Sequence, residues 1–135
     1  MAVQGETGQT KPEAKHVLRG KVAYLSGLAA EEQVAAEYQT RGYILAHTRW
    51  RGSCGEVDLI FADGDGFVFV EVKKSRSFDR AAERLGRAQI ARLCSAAEDY
   101  LAQHDRSLMT DLRFDVALVN TQGAIRIIEN AFGHF

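Results

Sequence analysis

Apolar and polar positions run through the chain with two different periods, and the changes between them mark the elements. From Val22 to Arg41 the sequence is rich in Ala and Glu and closes at Gly42, a common helix stop. Apolar residues recur there at three- and four-residue steps, Tyr24, Leu28, Ala35 and Tyr38, with Glu31 in the same stripe. A carboxylate on the face that should meet the core is a misfit. Tyr43–Arg51 reads as a strand, followed by a loop at Gly52-Ser53-Cys54-Gly55. Glu56–Ala62 and Phe67–Lys73 read as two more strands, joined at Asp63-Gly64-Asp65-Gly66, a hairpin signal. The second of these is apolar on both faces until its end, which predicts a central strand covered on both sides.

Lys74–Arg84 is polar and reads as a loop. Leu85–His104 reads as a helix with Ile90, Leu93, Cys94, Ala97 and Leu101 on one face. Leu112–Val119 and Ala124–Glu129 form a second predicted hairpin, turning at Asn120-Thr121-Gln122-Gly123. The order αβββαββ predicts one α/β domain over residues 21–135, a central mixed β-sheet flanked by helices. Residues 1–20, polar and mixed in charge, read as a disordered leader.

Composition narrows the classes of function. An apolar fraction of 46% and a charged fraction of 26% are ordinary for a globular chain, so disorder and low complexity are excluded. The net charge of −1 leaves any nucleic-acid partner to be met by a local basic patch. Cys54 and Cys94 lack paired metal-ligand spacing, which predicts free thiols in a reducing, cytoplasmic setting. No apolar run approaches membrane-spanning length, and the N-terminus has no apolar signal core.

The central hairpin holds the chemistry. Its turn pairs Ala62 with Phe67, so counting back sets Asp58 opposite Glu71 and Glu56 opposite Lys73. Alternation then puts all four on one face, opposed side chains about 5 Å apart at Cβ. Read alone, Glu71-Val72-Lys73 is an ordinary strand end, and Glu56 with Lys73 a surface ion pair of little worth. The whole set is different: carboxylates facing each other destabilise a sheet, and burial adds to the cost. A divalent cation removes the conflict. Asp58 and Glu71 suit Mg²⁺ or Mn²⁺, with the Val72 carbonyl as a further oxygen. Lys73 is placed to hold an attacking water or steady developing negative charge, and Glu31 to add a carboxylate through a water. Glu56 serves either as an accessory acid or as an anchor for Lys73.

Glu56-Val57-Asp58-Leu59-Ile60 followed by Val70-Glu71-Val72-Lys73 resembles the PD-(D/E)xK nuclease signature. With Ala30-Glu31, Arg41-Gly42-Tyr43, Arg113-Phe114-Asp115-Val116 and Asn130-Ala131-Phe132, the chain is similar to the YraN-like uncharacterised bacterial family from about Gly27 to Phe132. The resemblance implies a restriction-endonuclease-like core, close to Holliday-junction resolvases and the catalytic domain of tRNA-splicing endonucleases. It implies a metal-dependent nuclease using Glu31, Asp58, Glu71 and Lys73, and, through the resolvases, a homodimer. Two positions depart from the family: Gln89, where a Lys is frequent and which is similar to the extra glutamine of some related nucleases, and Arg49, where an Asn is usual.

Lys74, Arg76, Arg80, Arg84, Arg87 and Arg92 follow the acidic cluster, interrupted by Asp79 and Glu83, and read either as a phosphate-binding strip or as a solvated helix face. Arg51 beside Trp50 offers another phosphate contact, although Trp50 itself fits a packing role better than a base-stacking one. Arg113 and Asp115 share a face and read as a structural ion pair. The function these features predict is hydrolysis of phosphodiester bonds in DNA. The alternatives are a non-catalytic nucleic-acid-binding or accessory protein that keeps the fold, and an interaction protein with a structural metal.

Overall fold

The computed structural model describes the backbone of residues 12–53, 55–78 and 86–132, with side chains from Ser26 onward. Its elements are α1 (Pro12–Thr40), β1 (Ile44–Arg51), β2 (Glu56–Asp63), β3 (Gly66–Lys74), α2 (Arg87–Gln103), β4 (Leu112–Val119) and β5 (Ile125–Ile128). The strands form a five-stranded sheet in the order β1-β2-β3-β4-β5, antiparallel throughout except where β3 runs parallel to β4. A parallel pair needs a long crossover, and α2 lies within it. This is the mixed α/β architecture that the pattern predicts, consistent with a restriction-endonuclease-like core.

α1 is longer than its apolar stripe suggests. It begins at Pro12 rather than Val22. Proline suits a first helical position, because its φ is preset and its missing N–H would be unpaired there anyway. The expected leader is therefore helical backbone over residues 12–20, and residues 1–11 lie outside the described residues. The helix ends as its composition predicts: Gly42 takes φ +99°, and the Tyr43 amide reaches back to the Tyr38 carbonyl at 3.1 Å.

The two helices cover opposite faces. On β3, Val68 and Val70 pack with Ala30, Val34 and Tyr38 of α1, while Phe67 and Phe69 pack with Leu93, Ala97 and Tyr100 of α2. Alternation along a strand that is apolar throughout has this effect when both faces are covered. The stripe of α1 is rotated from the one expected: Ala30, Val34 and Tyr38 are its fully buried line, and Glu31 sits on its flank. The side chain of Tyr24 lies outside the described residues. On α2, Ile90 and Cys94 are half-buried, and Ala96 and Tyr100 complete the buried face instead. Trp50 packs edge-on against Tyr100, with ring centroids 5.3 Å apart, which is the packing role its composition favours.

Asp115, 1% exposed, is the most deeply buried carboxylate among the described residues, and the fold itself supplies its partners. Arg113 Nε and Nη2 donate to its two oxygens at 2.9 Å each, the Tyr38 hydroxyl donates at 2.6 Å, and the Asn130 amide donates at 3.0 Å. This network ties α1, β4 and the segment after β5 together. The Arg113–Asp115 pair is structural.

Candidate active site

The predicted hairpin register holds as far as it can be followed. Asp63 pairs with Gly66, Ala62 with Phe67 and so on to Leu59 with Val70, around a two-residue turn at Gly64-Asp65. There the ladder stops, one step short of Asp58 and Glu71. The two acids are not a ladder pair; instead the Asp58 carboxylate takes the Val72 amide at 2.8 Å in place of a backbone carbonyl.

The strict face assignment fails at the same place. Val57 and Ile60 both pack against the α2 cluster, which regular alternation forbids for residues three apart. Leu59 and Phe61 pack against α1. The pleat of β2 is therefore broken around Asp58. Its register neighbour on β1 is Arg49, between the pairs Thr48–Leu59 and Trp50–Val57, and Arg49 has φ +51°. A left-handed residue inside a strand redirects the side chains that follow it. A second irregularity, a bulge between Leu45 and His47, precedes it on the same strand. Neither could be read from the alternation of one strand alone.

Because of this break, Asp58 feels both faces of the sheet. Glu31 on α1 is raised to about 7, first by burial and then by the charge of Asp58, with Arg49 opposing and Glu56 adding. Glu71, on the α2 side of β3, is held well above the ordinary carboxylate range by burial and then by Asp58, against the lowering influence of Lys73. Glu71 is 5% exposed. Asp58 of β2 thus acts on Glu31 of α1 on one side and on Glu71 of β3 on the other.

Each acid has a cationic or polar partner. Lys73 Nζ stands 3.3 Å from Glu71 Oε2, and Gln89, two residues into α2, donates its amide to the same oxygen. Gln89 Oε1 in turn accepts from Arg92 at 2.9 Å. Arg49 lies 3.8 Å from Glu31 and 4.0 Å from Glu56. Glu56 does not face Lys73, contrary to the count along the hairpin. It pairs with Arg51 across β1 at 3.2 Å, because the β1–β2 register sets Arg51 directly opposite it. Among the described residues, no three His, Cys, Asp or Glu side chains are grouped to hold one ion together.

The basic residues do not make one strip. Lys74 alternates away from Lys73 and donates to Ser26 on α1, so it lies on the other side of the sheet from Arg87 and Arg92 of α2. Arg76 and Arg87 are exposed, as is Arg51, whose side chain is 80% exposed. Arg80 and Arg84 lie outside the described residues, as does Cys54.

Sequence reasoning also missed a tether. The loop between β1 and β2 is fixed to α2 by Asp99, whose Oδ2 accepts from the Ser53 amide at 3.0 Å and the Ser53 hydroxyl at 2.6 Å. An acid three turns into a helix, on the far side of the chain from its partner, leaves no pattern in sequence.

The family described as "Uncharacterised protein family UPF0102" matches residues 30–119. A UPF0102 protein of Ruegeria pomeroyi is 54% identical over 116 residues, covering 86% of this chain and 94% of its own. Relatives from Roseobacter denitrificans and Dinoroseobacter shibae are 49% identical over 112 residues and 43% identical over 131 residues. They cover 83% and 96% of this chain and 87% and 98% of their own.

Proposed function

Since the chain belongs to the UPF0102 family, whose description assigns no activity, we propose a function from the site itself: a Mg²⁺- or Mn²⁺-dependent nuclease that hydrolyses phosphodiester bonds in DNA. The observation that carries it is the place of Asp58 between Glu31 and Glu71, its carboxylate held by the Val72 amide beside the buried Glu71 and Lys73. Two of these carboxyls are driven upward by burial and by Asp58. A fold gains nothing by crowding acids in a half-buried site unless a cation joins them.

The donor set fits such a cation. Mg²⁺ retains several waters and uses one or two carboxylates with substrate phosphate oxygens, so Asp58 and Glu71 suffice without a closed protein cage. The Val72 carbonyl is the candidate third oxygen. When bound, the ion would supply charge stabilisation for the phosphoryl group and a lowered pKa for water. The chain's own residues do the rest. Lys73, from its place beside Glu71, orients the nucleophile and meets negative charge that develops on the phosphate. Gln89 holds Glu71 in position and is itself held by Arg92. Glu31 takes up a proton from a site water. Arg76, Arg87 and Arg51 offer exposed phosphate contacts on either side.

The test incubates the full chain with Mn²⁺ or Mg²⁺ and linear, flap and four-way DNA, with an RNA control. Metal-dependent cutting is expected, falling by about a hundredfold or more in Glu71→Ala and Lys73→Ala. Cutting by both variants at the wild-type rate would sink the assignment. Tight, salt-sensitive binding without cutting would replace it with a non-catalytic nucleic-acid-binding role.

A further inference from the structure

Arg49 is the site residue whose chemistry the nuclease reading leaves unused. It is a cation set against Glu31 and Glu56, the acids that flank the proposed ligands Asp58 and Glu71. Its guanidinium spans Glu31 of α1 and Glu56 of β2 at 3.8 and 4.0 Å. Both separations exceed the 2.7–3.2 Å of an N–H···O hydrogen bond, so attraction of charge holds these pairs without a tight bond. The side chain is 35% exposed. It borders an open groove of about 320 Å³ between α1 and β1, lined also by Leu28, Gln39, Leu45 and Thr48.

The backbone adds a second, independent observation. Arg49 has φ +51° inside a strand, a conformation unfavourable for an L-residue with a long side chain, which persists where the surroundings impose it. The same residue marks the place where β2 breaks its pleat at Asp58. The strain therefore lies where an arginine is aimed at the acids from the strand opposite.

We infer that Arg49 is an internal counter-cation of the acidic site, whose charge opposes a divalent ion there and which a phosphodiester draws away. The inference rests on the metal-site reading above. In the free protein the guanidinium neutralises part of the acidic cluster, so it opposes cation binding. A phosphodiester offers the guanidinium a closer, bidentate partner than either of these carboxylates, at 3.8 and 4.0 Å. Moving Arg49 onto the phosphate releases Glu31 and Glu56, so cation and phosphodiester load cooperatively. Linkage makes the effect reciprocal.

The experiment measures Mn²⁺ binding to the full chain by the EPR signal of the free ion, with and without dimethyl phosphate, a phosphodiester monoanion. Arg49→Asn removes the charge with a residue that tolerates a left-handed backbone; Arg49→Lys keeps the charge. Arg49→Asn should bind Mn²⁺ about tenfold more tightly than wild type, and Arg49→Lys should stay within about threefold of it. Dimethyl phosphate should tighten Mn²⁺ binding to wild type and leave Arg49→Asn unchanged. Equal or weaker Mn²⁺ binding by Arg49→Asn, while wild-type binding still depends on Asp58 and Glu71, overturns the counter-cation alone. Tighter binding by Arg49→Asn with no effect of the diester on wild type overturns the exchange. Mn²⁺ binding that ignores Asp58→Ala and Glu71→Ala overturns the metal site, and the inference with it. Thermal unfolding of both Arg49 variants confirms that the folded chain is being measured.

Discussion

The most heavily buried charge in the described residues is not among the proposed metal ligands. Asp115 lies 1% exposed, with four donors on its two oxygens. Removing one member of such a set leaves a charge in the core without compensation. Arg113→Ala is therefore expected to lower the stability of the fold by about 3–5 kcal/mol, read as the urea midpoint. Tyr38→Phe deletes one donor and keeps the ring stacked on Phe61, with centroids 4.5 Å apart, so its cost should be nearer 1–3 kcal/mol. Equal losses from the two would mean that the guanidinium is not what holds the carboxylate. Glu31 and Glu71 contrast with Asp115. Burial raises both, and the cation near each, Arg49 or Lys73, offsets only part of that cost.

Among the elements, the central hairpin was the most legible in sequence and its face the least. A two-residue turn and a period of two fix the register, so Ala62 meets Phe67 without any knowledge of the rest of the sheet. Asp58 leaves the regular pleat beside the left-handed Arg49 of another strand, and no pattern within β2 carries that information. The β4 bounds, Leu112–Val119, follow directly from its apolar run, whereas α1 extends ten residues beyond its stripe because helix formers continue upstream to Pro12. The action of Asp58 on Glu31 was foreshadowed by a carboxylate in an apolar stripe. The partners of Glu56 were misplaced, because the β1–β2 register is set across an irregular strand.

Asp99 shows how one element positions another. Burial does little to this carboxylate; the Ser53 hydroxyl and amide hold it below the usual range. It pins the loop that leads into Glu56 and Asp58 onto α2, which also carries Gln89 and Arg92. Asp99→Asn should leave the fold intact and raise the hydrogen-exchange rate of the Ser53 amide severalfold. If that amide exchanged no faster in the variant, the loop would owe its order to something else.

On the scale of the whole molecule, the acidic site opposes folding when no cation is present. The unfolded chain titrates Glu31 and Glu71 near 4.5, while the fold raises Glu31 to about 7 and Glu71 further above the carboxylate range. The folded protein then holds protons that the unfolded chain gives up, so stability falls as pH climbs from about 4.5 through about 7. The urea midpoint should be higher at pH 5.5 than at pH 8.5 in a metal-free buffer. Adding Mn²⁺ should flatten or reverse that slope, since the ion binds the ionised acids and only in the folded state. A midpoint that rises with pH without metal would mean that these carboxyls are not raised. No helix among the described residues is long and apolar enough to cross a membrane.

The reversal at Gly64-Asp65 lies at the other pole of the hairpin from the acids. Five residues of extended chain, roughly 17 Å, separate Asp63 from Asp58. Gly64 has φ +60° and no atom near the position a side chain would take, so the bend is open at Gly64 itself. A short peptide tag or a fluorophore attachment point grafted there would ride on the molecule without touching its acids. That makes the bend a handle for tethering the protein to a surface while the acidic end stays clear of the support.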